Sequence, residues 1–297
     1  MTAVITVPAS LDEHSFETVL EQLVDVPADA KILVDARHTR FATPYGLTAL
    51  LCLAQSRAEK AEFAPPTEEN TASYWARSAF YKYAEELYTI VGTVPKPRPT
   101  RESDVLLEVT PIARSEDVHA VVDRVKDRAT QILTTKLDLE PRATMGFAMS
   151  LSEACQNIVE HAGRGGWVMV QRYDWSNRRA GRDVVQIAVC DAGQGFRKSL
   201  DTSRARANAG DRWSDGDALE SGVMQGVSRY TDPGRGQGLT GIRGYVFRFD
   251  GKLTVRSGTA KIAMLPDWVE DRPRQDGLSA FPGAQLQIMI PKRIKAL

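Results

Sequence analysis

The chain has 297 residues, of which 42% are hydrophobic and 26% are charged, a composition typical of globular proteins and not of disordered or coiled-coil chains. Lysine plus arginine total 38 and aspartate plus glutamate total 38, so no overall charge draws the protein to nucleic acid or to an anionic membrane. The length favours two domains.

Cysteine usage and hydropathy indicate the compartment. Cys52, Cys155 and Cys190 lie in apolar segments without CxxC spacing, which predicts buried thiols and neither disulfides nor metal ligands. No apolar run approaches the roughly 18 residues of a membrane-spanning helix, and the N-terminus lacks a signal-peptide pattern. The sequence therefore predicts a cytoplasmic protein without a membrane segment.

Strand-like and helix-like patterns alternate over the first part of the chain. Ala3 to Val7 and Lys31 to Asp35 predict strands, and Leu11 to Val24 has helical spacing. Tyr45 to Ala54 is apolar over three turns and predicts a buried helix. Thr71 to Tyr88 predicts one further helix, whose many aromatic residues favour the core over a partner-binding surface. This alternation is typical of a small α/β domain of parallel type.

The order of these elements, with Gly46 and Leu47 opening the apolar helix after a turn, resembles the STAS domain of anti-sigma-factor antagonists over residues 1–90. In phosphorylatable STAS domains a serine precedes this glycine and accepts phosphate. Here Tyr45 stands in that place, Pro44 precedes it, and Thr43 occupies the usual Asp position. The resemblance, with this departure, predicts a regulatory docking domain that is not a serine substrate.

A proline-rich stretch separates this domain from the rest. Val91 to Arg101 holds three prolines and no apolar periodicity, so residues 91–103 are assigned as a short, stiff linker. Val105 to Ile112 then predicts a strand, and Ser115 the N-cap of a helix running to about Lys136.

The helix predicted after Pro141 carries polar groups at a regular spacing. Glu153, Asn157 and His161 are four residues apart and share one face, while the other face is apolar. A carboxylate, a carboxamide and an imidazole in this arrangement suit a hydrated divalent cation and a phosphate chain. A merely solvated polar face fits these three residues equally well.

Two glycine-rich segments follow this helix. Gly166 to Tyr173 and Asp183 to Cys190 predict strands, and the second strand leads into Asp191, Gly193 and Gly195. A later segment, before the apolar run Ile242 to Phe249, contains Gly234, Arg235, Gly236, Gly238 and Leu239. Glycines at this density let backbone amides approach phosphate oxygens.

The three motifs, in the order ExxxNxxxH, DxGxG and GxGxGL, resemble the GHKL ATPase superfamily over about residues 104 to 292, and most closely its anti-sigma-factor serine kinases. The assigned domain is 104–297. The resemblance implies an α/β sandwich with a mixed sheet, binding ATP or ADP with Mg²⁺. It implies that Glu153 is the general base, that Asn157 is the Mg²⁺ ligand and that Asp191 accepts a hydrogen bond from the adenine amino group. The other residues that it places around the nucleotide are His161, Gly193, Gly195, Gly234, Arg235, Gly236, Gly238 and Leu239.

Two regions depart from this family pattern or extend it. The closing strand begins Gly283-Ala284 where the family has Gly-Thr, which removes a hydroxyl from the adenine side. A polar insertion lies between Ser257 and Pro282 and is longer than a hairpin loop needs. Phe196 to Pro233 corresponds to the ATP lid; its polar composition predicts a segment that buries little, either a nucleotide-ordered loop or a surface insertion.

The expected function is that of a Mg-ATP-binding regulatory protein of the anti-sigma-factor kinase type, transferring the γ-phosphate to a Ser or Thr of a partner. An ATP-hydrolysing switch that controls partner binding by the STAS-like domain is the alternative, and the sequence leaves the choice between kinase and ATPase open. A nucleotide-binding module without turnover is disfavoured by Glu153. The expected partner is a STAS-type or sigma-factor-like regulatory protein; no nucleic acid is predicted, and homodimerisation is left open.

Overall fold

The computed structural model is an α/β protein that contains both parallel and antiparallel sheets, so the predicted class is confirmed. The residues that it describes are 2–96, 106–112, 118–161, 165–175, 182–201, 203, 206–207, 213–227 and 238–292. Residues 2–96 are called the N-terminal layer below. Within the described ranges, no helix combines the length and apolar content required to cross a bilayer.

The N-terminal layer is built on a parallel four-stranded sheet in the order β1-β3-β5-β6, as the alternating pattern predicted. A second, two-stranded parallel sheet pairs β2 with β4. The elements in chain order are β1 (Ala3–Thr6), β2 (Ser10–Leu11), α1 (Phe16–Glu21), β3 (Ile32–Asp35), β4 (Phe41–Ala42), α2 (Pro44–Ser56), β5 (Glu62–Ala64), α3 (Glu69–Arg77), α4 (Phe80–Leu87) and β6 (Thr89–Ile90).

The start of α2 explains the residues that replace the STAS phosphorylation motif. Thr43 caps the helix, since its Oγ1 accepts a hydrogen bond from the Gly46 amide at 3.2 Å, and Pro44 occupies the first turn, where no amide donor is needed. Tyr45 is 1% exposed and Thr43 is 3% exposed. Burial also raises the pKa of Tyr45 well above its ordinary value. Both hydroxyls are therefore closed to a phosphate donor.

The single aromatic helix predicted over Thr71 to Tyr88 is wrong, because the chain breaks it into α3 and α4. Ala79 adopts a left-handed conformation with φ of 60° between the two. Trp75 and Phe80 both pack on Phe63, with ring centroids 6.1 and 5.6 Å away. Residues five apart on one helix point about 140° apart, so the break lets both rings reach the same core residue. The prediction that the aromatics form core is confirmed for Trp75 and Phe80, both fully buried.

The rest of the chain forms a five-stranded sheet in the order β10-β11-β9-β8-β7, with helices on one face. Its elements are β7 (Leu106–Ile112), α5 (Val118–Leu137), α6 (Pro141–His161), β8 (Gly166–Trp175), β9 (Arg182–Asp191), α7 (Gly195–Ser199), α8 (Asp215–Leu219), a π-helical turn (Glu220–Met224), α9 (Gly238–Arg248), β10 (Lys252–Met264) and β11 (Arg274–Pro291). The N-cap predicted at Ser115 lies outside the described residues.

The mixed sheet implied by the resemblance is a wrong prediction for this part, because all pairings among its described strands are antiparallel. The strands β8 and β9 form one hairpin, and β10 and β11 form another. The helix pair α5–α6 returns the chain to the end of the sheet at which β7 finished, so β8 runs opposite to β7. Parallel pairing is found in the sheets of the N-terminal layer.

The insertion predicted between Ser257 and Pro282 is also corrected, since most of it continues the β10–β11 hairpin. β10 extends to Met264 and β11 begins at Arg274, which leaves residues 265–273 at the tip. The ladder shifts register on either side of Gly258, which has φ of 61°. The extension is called the hairpin arm below.

Both faces of the five-stranded sheet are covered. Val168 and Val170 belong to the apolar cluster beneath α5 and α6. Trp167 and Met169 alternate with them and belong to the cluster of the N-terminal layer, in which α2 packs on β8 and β9. The three cysteines are free and buried, as predicted. The N-terminal layer thus shares a continuous apolar core with the sheet.

Candidate active site

Glu153, the first predicted site residue, lies on α6, beside α9 on the helical side of the sheet. The helices run antiparallel: the rings of Phe147 and Tyr245 lie 6.1 Å apart, and further along α6 Glu153 lies against Gly238, the first residue of α9. A Cβ at Gly238 would lie only 3.2 Å from Glu153 Cδ. Residues of the first and third motifs therefore lie side by side at this pair.

The carboxylate of Glu153 is available for chemistry. Its Oε1 is buried and has no hydrogen-bond partner among the described residues. An unsatisfied buried acceptor costs about 1–3 kcal/mol, which a bound donor or cation would remove. The carboxylate also lies at the N-terminal end of an 11-residue helix, where free amides and the helix dipole attract anions. One locus thus combines a buried, unpartnered carboxylate oxygen with the N-terminal end of a helix, a place that suits an anion such as a phosphate group.

Asp191 ends β9 and is held by backbone amides. Its Oδ1 accepts a hydrogen bond from the Gly193 amide at 2.7 Å, and the Ala284 amide donates to the same carboxyl group. Gln285 Nε2 donates to the Asp191 carbonyl at 2.9 Å. Asp191 is 6% exposed, and this burial raises the pKa of its carboxyl to about 7, although the two amides lower it. Both protonation states are therefore populated near neutral pH.

Two glycines bring the turn after β9 against the start of the closing strand. Gly195 has φ of 72° and Gly283 has φ of 82°, conformations that other residues rarely adopt. A Cβ at Gly283 would lie 2.6 Å from the Asp191 carbonyl carbon, and one at Gly195 would lie 2.6 Å from Ser257 Oγ. The turn can therefore approach β11 this closely only with glycine at both positions.

Ser257 and Gln285 hold this turn, and sequence reasoning gave neither a role. Ser257 Oγ donates to the Gly283 carbonyl at 2.7 Å and accepts from the Phe196 amide at 3.0 Å. Ser257 is the cross-strand partner of Ala284, the position at which the family carries a threonine hydroxyl. A hydroxyl is thus present opposite Ala284, but both of its hydrogen bonds are made with backbone groups. Only the strand register reveals this placement, so no sequence signal could have found it.

The remaining predicted residues are placed in part. Asn157 and His161 lie on α6 with Glu153, as predicted, but their side chains lie outside the described structure, as do Gly234, Arg235 and Gly236. Leu239 packs against the core beneath α9. Within the described part of the chain, no group of three or more His, Cys, Asp or Glu side chains could hold a metal ion.

Residues 215–224, within the segment assigned as the ATP lid, are helical and partly buried. Trp213, Ala218 and Leu219 are buried, so the expectation that this segment buries little is wrong for residues 213–224. Helix α8 begins with a capping box, in which Ser214 and Asp217 exchange hydrogen bonds.

Charged residues of this segment pair with two neighbouring elements. On the hairpin arm, the amide and hydroxyl of Thr259 donate to Asp215 Oδ2 at 2.9 and 2.8 Å, and Arg274 bonds Asp217 and Glu220 at 3.2 and 2.6 Å. On α9, Arg243 donates to the carbonyl groups of Val223 and Met224. Because these partners are distant in sequence, composition alone could not predict the packing.

Comparison with models of known protein families gives no match, and comparison with curated proteins finds no similar one.

Proposed function

We propose that the protein binds Mg-ATP beside α6 and α9 and acts in the cytoplasm as a regulatory kinase of the anti-sigma-factor type, transferring the γ-phosphate to a Ser or Thr of a partner protein. The observation that carries this proposal is the buried, unpartnered Glu153 Oε1 at the N-terminal end of α9. A structural carboxylate would have its hydrogen bonds satisfied, whereas a catalytic base needs a free oxygen directed at its substrate.

In this proposal, separate groups of the chain bind the nucleotide, bind the cation and remove the proton. Glu153 would take the proton from the attacking hydroxyl, the end of α9 would hold the phosphate chain, and Asn157 would bind the cation through its amide oxygen. Asp191 would accept a hydrogen bond from the adenine amino group. The two backbone amides that donate to its carboxyl group would keep that carboxyl group oriented. Mg-ATP, when bound, supplies the phosphoryl group. The N-terminal layer would act as a docking module for a STAS-type or sigma-factor-like partner, because its own hydroxyls at Thr43 and Tyr45 are buried.

A second candidate is an ATP-hydrolysing switch, which one contact favours. Thr48 on α2 donates a hydrogen bond to Cys190 Sγ at 3.2 Å, and Cys190 directly precedes Asp191. A change at the adenine site would therefore reach the docking layer through one residue. In this candidate Glu153 activates water, and the nucleotide state alters the partner surface.

Incubation with γ-labelled ATP and cell extract distinguishes the two candidates. Label transferred to an extract protein supports the kinase, and release of free phosphate alone supports the switch. Glu153→Gln is the matched control, since the amide preserves shape and removes the base. If wild type and this variant give equal label and equal phosphate release, Glu153 is not the base.

Nucleotide binding itself is tested by calorimetry with and without Mg²⁺. The wild type should bind ATP more tightly with Mg²⁺, and Asn157→Ala should lose that dependence while retaining binding to the nucleotide alone. Equal affinity of both proteins in Mg²⁺ would contradict the ligand role of Asn157. Equal affinity for GTP and ATP would contradict the adenine role of Asp191.

A further inference from the structure

A cleft of about 530 Å³ opens between the N-terminal layer and strand β8 of the five-stranded sheet. Its volume falls within the range of small-molecule sites. The residues that line it are Arg40, Phe41, Glu68, Asn70, Thr71, Tyr74, Gln171 and Tyr173. Both layers of the protein therefore contribute to its walls.

This cleft is separate from the candidate active site. Gln171 and Tyr173 alternate in step with Trp167, on the face of the sheet that the N-terminal layer covers, whereas Glu153 lies on the helical face. Gly166, which starts β8, pairs with Asp191. Gln171 lies five residues further, so the cleft is about 17 Å along the strand from the adenine position.

The cleft carries one positive and one negative charge. The backbone amide of Arg40 donates a hydrogen bond to the Ala9 carbonyl at 2.8 Å, and its backbone carbonyl accepts one from Thr71 Oγ1 at 2.8 Å. Among the described residues, none pairs with the Arg40 guanidinium. Glu68 caps α3 and accepts from the Asn70 amide at 3.1 Å and the Thr71 amide at 2.6 Å. Hydrogen bonding to Thr71 and Asn70 holds the pKa of Glu68 below its ordinary value, so it is ionised at neutral pH.

Both charged residues line this cleft, and Thr71 links the backbone of Arg40 to the carboxylate of Glu68. Thr71 Oγ1 lies 2.8 Å from the Arg40 carbonyl oxygen and 2.6 Å from Glu68 Oε2. A simple anion bound by Arg40 would be repelled by Glu68, and a simple cation bound by Glu68 would be repelled by Arg40. A ligand that carries a negative and a positive group on one carbon atom can satisfy the two side chains together.

The rest of the wall is aromatic. Phe41 and Tyr173 have ring centroids 5.7 Å apart, and Tyr74 lines the cleft beside them. Rings at this spacing offer edges and faces to a further planar group. The amides of Asn70 and Gln171 add polar groups at the rim.

We propose that this cleft binds a free α-amino acid with an aromatic side chain. Arg40 bonds the α-carboxylate, Glu68 accepts from the α-ammonium group, and the ligand's ring packs on Phe41 and Tyr74. Because α3 and β8 both line the site, such a ligand joins the N-terminal layer to the sheet.

The test is calorimetric titration of the full chain with L-phenylalanine, L-tyrosine and L-tryptophan. At least one should bind saturably with a stoichiometry of one. For L-phenylalanine, 3-phenylpropionate lacks the ammonium group and phenethylamine lacks the carboxylate, and each should bind about tenfold or more weakly, since each loses a charge-assisted bond. Absence of saturable binding by all three amino acids, or equal binding of 3-phenylpropionate, would overturn the proposal.

Variants assign the contacts. Arg40→Gln should lower amino-acid affinity about tenfold, whereas Lys60→Gln removes a positive charge from the same layer outside the cleft and should leave affinity unchanged. Glu68→Gln should lower the affinity for the amino acid and raise the affinity for 3-phenylpropionate, because Glu68 no longer repels the carboxylate of 3-phenylpropionate. Circular dichroism confirms that each variant is folded. Unchanged affinity in folded Arg40→Gln would show that the amino acid binds elsewhere.

Discussion

The two faces of the five-stranded sheet are covered by different means. The helical face is apolar beneath α5, α6 and α9, where Leu253, Val255 and Ile288 lie. On the opposite face, α2 packs on apolar residues of β8 and β9, among them Trp167, Met169 and Ala188. Along β10 and β11 this face presents buried polar residues, which are Lys252, Thr254, Arg256, Gln285 and Gln287.

The polar half of that face is held to the N-terminal layer by charge. Lys252 Nζ lies 2.8 Å from Glu13 Oε1, and Arg256 bonds both oxygens of Glu17 at 2.8 and 3.1 Å. Buried ion pairs contribute little net stability but are expensive to break. The helical face therefore contributes apolar burial, while the ion pairs on the opposite face specify how the N-terminal layer sits on the sheet.

Substitution of Glu153 on the helical face should give the largest effect. Glu153→Gln is expected to keep nucleotide affinity and lose turnover by about 10²- to 10⁴-fold, because the base is removed and the shape is kept. Phosphate release and calorimetry measure the two quantities. Wild-type turnover in the variant would move the base to another residue.

Breaking one ion pair on the face that the N-terminal layer covers should give the largest change in stability. Arg256 is fully buried and Glu17 is largely so, so Arg256→Ala should lower the free energy of unfolding by about 3–5 kcal/mol. Urea denaturation measures it. Arg274→Ala is the control, since its partners are half exposed and the expected loss is below about 1 kcal/mol. Equal losses would contradict the role assigned to burial.

Some features of this fold could be predicted from the sequence, and others could not. The meeting of Glu153 with Gly238 agrees with what the resemblance implies for the first and third motifs, whereas the helical periodicity alone does not bring the two helices together. The break at Ala79 has no sequence marker, since alanine is a good helix former. The pairing of Arg256 with Glu17 joins residues 239 positions apart, and only the packed structure brings them together.

The buried carboxyl of Asp191 should make stability depend on pH. Its pKa rises from 3.8 to about 7 on folding, so the folded state binds the proton more tightly and this group destabilises the fold increasingly as pH rises from 3.8 to 7. Asp191→Asn lacks this penalty, and its stability relative to wild type should increase by about 2–3 kcal/mol between pH 5 and pH 8. Denaturation at both pH values measures it; a constant difference would contradict the raised pKa.

The same group predicts pH-dependent nucleotide binding. The ionised carboxylate is the better acceptor for the adenine amino group, so the affinity ratio of wild type to Asp191→Asn should rise as pH increases through about 7. Taking the ratio removes the titration of the phosphates. A flat ratio would show that Asp191 does not contact the base.

Breaking the contact between Thr48 and Cys190 should have the smallest effect on stability. Thr48→Val removes the contact with Cys190 Sγ and also the hydrogen bond from the Thr48 hydroxyl to the Pro44 carbonyl at 2.8 Å, and it should cost about 0.5–1.5 kcal/mol of stability. If the docking layer senses the nucleotide through this contact, the variant should also change ATP affinity, whereas Ser56→Ala at the far end of α2 should not. Identical ATP affinity in wild type and Thr48→Val would argue against the switch.

The continuous core beneath α2 has a consequence for any attempt to dissect the protein. A fragment starting after residue 103 would leave Trp167, Met169 and Ala188 open to water, because among the described residues it is the N-terminal layer that covers this sheet face. Such a fragment should self-associate on that face, in contrast to catalytic domains that work when cut from their neighbours. Assays on the isolated fragment would then report its aggregation, and the whole chain is the smallest unit for measuring the activity.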